Sequence, residues 1–170
     1  MTYKRFEDLP VWKEAIGLAE KIYALTEDPA FAKQRSLQDQ LERATVSISN
    51  NVAEGFERGT TQELLTFIYI ARGSAGEVRS MLCLMERLPR FAHLKFQISN
   101  LKLIAELCAR QLRSWAAGLQ ASPIEGQRRL TDATRDNFEK RKKGDDFIKM
   151  LQTKFKKAEF PNPKKPDPQS

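Results

Sequence analysis

Histidine is almost missing from this chain: His93 is the single one in 170 residues. That scarcity removes much of the side-chain chemistry available at neutral pH. A di-iron centre in a helical bundle draws a Glu-x-x-His pair from each of two helices. A Ser-His-Asp triad would have to recruit the one imidazole, and nothing in the spacing around His93 points to it. Cysteine is nearly as scarce. Cys83 and Cys108 fall inside helical patterns without paired metal-ligand spacing, so each reads as a small apolar filler in a reducing compartment. The eight glycines are dispersed, and the Gly-Lys-Ser/Thr ending of a Walker phosphate loop does not occur. No stretch nears the roughly 20 uninterrupted apolar residues of a membrane span, and Met1 to Asp8 holds no apolar run that could act as a signal peptide. The expectation is a cytoplasmic, non-enzymatic protein without metal or cofactor.

What the chain does have is a hydrophobic fraction of 41% laid out with a helical period. A first helix is expected to begin near Asp8, with Pro10 in the first turn, where no backbone donor is needed. Trp12, Ile16, Ala19, Tyr23 and Thr26 follow at alternating spacings of four and three, widened by Ala15 and Ile22. Asp28-Pro29 stops it. Leu37, Leu41, Ala44 and Ile48 carry a second helix from about Gln34 to Gly55, and Gly55 and Gly59 bracket its exit. Thr60-Thr61-Gln62-Glu63 has the form of a capping box, in which the threonine hydroxyl meets the N3 amide and the glutamate returns to the cap amide. Leu64, Ile68, Ala71, Ala75, Val78, Leu82 and Met85 continue that third helix to Pro89. The fourth stripe is Leu94, Ile98, Leu101, Ala105, Cys108, Leu112, Trp115 and Leu119. Four such stripes exclude strands, and short connections make neighbouring helices antiparallel. The fold class read from the sequence is all-α: an antiparallel up-down four-helix bundle over residues 1–118.

Charge is spread unevenly along the chain. Residues 1–122 hold 16 basic and 14 acidic side chains, whereas residues 123–170 hold 13 and 8, a net of +5. Residues 119–126 read as a turn-rich linker around Pro123 and Gly126. Residues 127–160 form a basic extension in which Asp145-Asp146 caps a short helix, with Phe147, Ile148, Leu151 and Phe155 on one side. Residues 161–170 include four prolines and read as a disordered tail. Arg128, Arg129, Arg135, Lys140, Arg141, Lys142, Lys143, Lys154, Lys156 and Lys157 are the candidate contacts to an anionic partner. Nucleic acid, an acidic protein and an anionic membrane surface each fit that charge, and a solvated, solubilising tail fits it as well.

The most unusual internal stretch is Ser47-Ile48-Ser49-Asn50-Asn51-Val52-Ala53-Glu54-Gly55. Ser47, Asn51, Glu54 and Arg58 fall at spacings of four, three and four, which puts them on one helix face. Arg72, Ser74 and Glu77 add polar groups beside Gly73 and Gly76 on the third helix. Glycine in a helix interior costs about 1 kcal/mol against alanine, so these two suggest close approach of another backbone. One reading of the face is a binding or catalytic site with Glu54 or Glu77 as acid or base. The other is a satisfied hydrogen-bond network between helices or subunits, with Asn51 fixing register. The second is preferred.

Several ordered motifs resemble a known family. They are Phe6-x-Asp8-Leu9-x-Val11-Trp12, Ala44-Thr45-Val46-Ser47-Ile48 leading to Asn51-Val52-Ala53-Glu54-Gly55, Glu63-x-x-x-Phe67, and Ile70-Ala71-x-Gly73-Ser74-x-x-Glu77. Over about residues 3–118 the chain looks like the four-helix-bundle proteins first noticed as the reading frame of intervening sequences in bacterial 23S ribosomal RNA. The resemblance implies a homo-oligomer, a pentameric ring. It further implies a fold similar to the accessory variability proteins of diversity-generating retroelements, basic pentamers that bind nucleic acid and partner a reverse transcriptase. The family pattern carries no catalytic residues. Ser47, Asn51, Glu54, Arg58, Gly73, Ser74 and Glu77 are therefore expected to be structural or interface positions. The basic extension lies beyond the resemblance.

Overall fold

A computed structural model of the chain describes residues 3–121, 143–151 and 153. The chain divides into two units, residues 1–128 and 129–170. The first holds four helices: α1 (Pro10–Thr26), α2 (Arg35–Glu57), α3 (Thr61–Arg87) and α4 (Lys95–Gln120). Helices α1 and α3 each pack against both α2 and α4, so the four stand in cyclic order around one core. Cross-helix contacts fix their directions. Ser47 meets Ser74 while Gly55 lies against Phe67, which makes α2 and α3 antiparallel. Contacts of Tyr69 with Gln120, Arg79 with Glu106 and Glu86 with Lys102 do the same for α3 and α4. The all-α four-helix bundle read from the sequence is the fold.

The core follows the stripes of α2, α3 and α4. Leu41, Ile48, Leu64, Ile68, Leu82, Met85, Ile98 and Leu112 are fully buried, each contributing about 1.5–3 kcal/mol by leaving water. Trp115 and Leu119 lie partly buried at its margin. On α1 the expected Ala19 and Thr26 are buried, as are the widening positions Ala15 and Ile22, but the inward face is rotated away from Trp12, Ile16 and Tyr23. Val11, Ala15, Leu18, Ile22 and Leu25 are buried, repeating the same four-three rhythm one position earlier, while Tyr23 stands 48% exposed. The wholly aliphatic stripe wins the core because burying the other would leave Leu18 and Leu25 in water. The amphipathic Trp12 then packs at the margin, edge-on to Phe6 at 5.4 Å.

Helix ends differ from expectation at the start of α1, the end of α2, the cap of α3 and the end of α4. Asp8 is not the cap of α1: Phe6–Asp8 form a 3-10 turn, Leu9 precedes the helix and Pro10 is its first residue. Helix α2 runs through Gly55 to Glu57. The α3 cap keeps half of the expected reciprocity. The Glu63 amide donates to Thr60 Oγ1 at 3.2 Å, but the Glu63 carboxylate accepts from the Thr60 hydroxyl, at 2.8 Å, instead of the cap amide. His93 lies in a 3-10 segment, Pro89–Leu94. Helix α4 continues to Gln120, into the stretch read as a linker.

At one end of the bundle, the α1–α2 and α3–α4 corners meet through Phe31 and Phe91, with ring centroids 5.0 Å apart. Beside them His93 Nε2 sits 3.1 Å from both carboxylate oxygens of Asp28, and the Ala30 amide donates to Asp28 at 2.8 Å. That amide, and then the imidazole, hold the Asp28 carboxyl below its ordinary value.

In the second unit, residues 143–151 and 153 are helical, with Phe147 and Ile148 exposed. The expected disordered tail and Phe155 lie outside the described residues.

Candidate inter-helix polar face and nucleic-acid interface

The polar face predicted on α2 divides into two parts. Ser47, Asn51 and Ser74 form one connected chain. Asn51 Nδ2 donates to the Ser47 carbonyl at 2.7 Å and to Ser47 Oγ at 2.9 Å. The two serine hydroxyls are 2.9 Å apart, and Ser74 Oγ lies 3.1 Å from the Ile70 carbonyl. One proton arrangement satisfies both hydroxyls: the Ser47 hydroxyl donates to Ser74, and the Ser74 hydroxyl donates to Ile70. Each hydroxyl then accepts one bond and gives one. Such a closed chain fixes the register of α2 against α3 and leaves neither serine proton free for chemistry.

Glu54 and Arg58 belong to a different environment. They pair at 2.6 Å on the exposed end of α2, where Arg58 also lies 3.7 Å from Glu63 and 5.1 Å over the Phe67 ring. At that exposure the pair contributes little stability. Glu77 lies elsewhere again, in a groove between α2 and α3 of about 470 Å³ with Gln40, Arg43, Ser47, Ser80 and Met81. The Ser47–Ser74 register sets Glu77 level with Ala44, ten residues and so about 15 Å along the axis from Glu54. The structure does not bring these two carboxylates together.

The glycines fall into two environments. A Cβ added to Gly73 or Gly76 would meet nothing within 4 Å among the described residues, so neither glycine is required by packing between the described helices. The close approach occurs at Gly55, where an added Cβ would sit 2.7 Å from Phe67 Cβ and 3.2 Å from Leu64 Cδ1. Gly55 is thus an interior contact of α2 with α3 and not a terminating residue. The pairing of Gly55 with Gly59, which suggests a helix exit, hides this contact in the sequence.

Among the described residues no group of three or more His, Cys, Asp and Glu side chains could hold a metal ion. Cys108 is buried, which pushes its thiol up to about 12 and keeps it protonated and inert. No described helix is long and apolar enough to cross a membrane.

Of the ten candidate contacts to an anion, only Lys143 lies among the described residues, where it is helical and exposed. Arg128, Arg129, Arg135, Lys140, Arg141, Lys142, Lys154, Lys156 and Lys157 lie outside them. Sequence reading missed a set of apolar side chains left in solvent on α4: Phe96 at 78% exposure, Leu103 at 63% and Leu107. Their spacings of seven and four run beside the buried stripe and could have been read as a second face. An apolar groove between α1 and α4, lined by Ala24, Leu25, Leu101, Leu103 and Ile104, adjoins it.

Among curated proteins no sequence matches this one. A family model does: that of the 23S rRNA-intervening sequence protein, over residues 7–114. The matched span begins just before α1 and ends inside α4, so it covers the helices that carry the Ser47–Asn51–Ser74 chain and Gly55, and stops short of the basic extension. By that match, the chain belongs to the family of 23S rRNA-intervening sequence proteins.

Proposed function

We propose that the protein is a non-enzymatic, homo-oligomeric bundle that binds nucleic acid, RNA or an RNA–DNA hybrid, as an accessory or scaffold in the cytoplasm. The observation that carries the reading is the segregation of charge: net +5 within residues 123–170, beyond a family bundle in which Ser47, Asn51 and Ser74 are engaged in internal hydrogen bonds. Lysine and arginine contacts to phosphate supply affinity without base specificity. Assembly is supported by the apolar side chains Phe96, Leu103 and Leu107, which α4 leaves in solvent and which a second copy would cover. A pentamer and a reverse-transcriptase partner follow from the family resemblance alone.

The test is electrophoretic mobility shift on single-stranded RNA, single-stranded DNA and duplex, using the full chain and a variant with Lys140, Arg141, Lys142 and Lys143 changed to glutamine. The variant is expected to bind more weakly and with less salt sensitivity, about equally across sequences. Equal binding and equal salt sensitivity would make the extension a solubilising appendage. Docking of the extension on an acidic protein is the competing reading, favoured if the full chain shifts none of the three nucleic acids.

A further inference from the structure

On the outer seam of α3 and α4, positive charge is left uncompensated. Arg72, Gly76 and Arg79 follow one another on α3 at spacings of four and three, and Glu106, Arg110 and Arg113 do so on α4. The Arg79–Glu106 ion pair, at 3.6 Å, sets the register of these two antiparallel stripes. One turn further along, Gly76 comes level with Arg110; another turn brings Arg72 level with Arg113. The carboxylates of the seam are already engaged, Glu106 by Arg79 and Glu86 by Lys102 at 2.6 Å. Arg72, Arg110 and Arg113 are exposed and have no ion pair or hydrogen bond among the described residues.

Like charges gathered on one seam repel, and the repulsion is relieved when an anion lies between them. All three are arginines, whose forked donors match phosphate oxygens in pairs. Gly76 stands among them. It costs the helix about 1 kcal/mol against alanine, and no packing among the described residues calls for it, since a Cβ there would meet none of them within 4 Å. Bare backbone between arginines lets a strand come closer than a side chain would allow.

We propose that the α3/α4 seam, through Arg72, Arg110 and Arg113 around Gly76, is a second phosphate-backbone surface for nucleic acid, made of residues of the bundle itself and none of the basic extension. The proposal rests on the nucleic-acid reading above and places part of the binding where that reading did not.

The experiment is a salt titration of binding to a labelled single-stranded RNA of mixed sequence, by fluorescence anisotropy, with the full chain throughout. Arg72→Gln/Arg110→Gln/Arg113→Gln is expected to weaken binding by about tenfold or more and to reduce the salt slope by about 2, three lost contacts at about 0.7 each. Changing the same three residues to lysine should restore most of the slope, because charge is kept. Gly76→Glu, which keeps every arginine but sets a carboxylate among them, should weaken binding as well. Circular dichroism establishes that each exposed substitution leaves the bundle helical. If the glutamine variant binds as tightly as wild type with an unchanged slope, the seam is overturned while the nucleic-acid reading stands. If wild type binds no RNA but binds poly-glutamate, both fall, and the partner is an acidic protein.

Discussion

Three glycines show how one residue type answers to different physics. Gly55 is held by packing: Phe67 Cβ lies 2.7 Å from where its Cβ would be, and the Leu64 carbonyl 3.4 Å. Gly55→Ala must therefore push α2 from α3 and is expected to cost about 1–3 kcal/mol by overpacking. Gly73→Ala and Gly76→Ala meet open space and should each stabilise the isolated chain by up to about 1 kcal/mol through helix propensity. Urea unfolding midpoints separate the two cases, and a stabilising Gly55→Ala would contradict the close contact. A second residue-scale expectation concerns pH. Asp28 is depressed in the folded state by the Ala30 amide and then by His93. Its contribution is thus present above the ordinary aspartate value of about 4 and is lost as pH falls through the lower folded value. Asp28→Asn should lower the melting temperature at neutral pH, and the gap to wild type should close as pH falls well below that value. A gap that is constant with pH would show that the carboxylate charge has no part in it.

At the scale of elements, α3 and α4 were legible because a continuous apolar stripe runs the length of each; every α3 position in it, from Leu64 to Met85, is buried. Helix α1 was legible as a helix but not in its rotation. It carries two four-three stripes side by side, and the tertiary competition between Leu18 and Leu25 on one and Trp12 and Tyr23 on the other decides which faces inward. The cross-helix chain was half legible. Spacing put Ser47 and Asn51 on one face, but the partner of Ser47 on α3 depends on the register between two helices, which local sequence does not state. Because that chain closes on itself, Ser74→Ala should leave the Ser47 hydroxyl without its acceptor and cost about 1–3 kcal/mol. Ser47→Ala/Ser74→Ala should cost less than the sum of the two single changes, since the second removes a group that already lacks its partner. Strict additivity in chemical denaturation would show that the two hydroxyls do not interact.

For the whole molecule, the functional account depends on where charge sits relative to structure. The family bundle between residues 7 and 114 is built on apolar burial and internally satisfied polar groups. The sequence made the basic excess of residues 123–170 visible as composition. It did not show the arginines of the α3/α4 seam, which become neighbours only once those helices are set antiparallel. The most direct test of the central claim is the equilibrium affinity of the full chain for single-stranded RNA measured across a range of salt concentrations. Phosphate-backbone binding predicts a straight line of log affinity against log salt with a slope of several units, about −0.7 for each phosphate neutralised, and near-equal lines for unrelated sequences. A flat line, or no binding at the lowest salt, would contradict it.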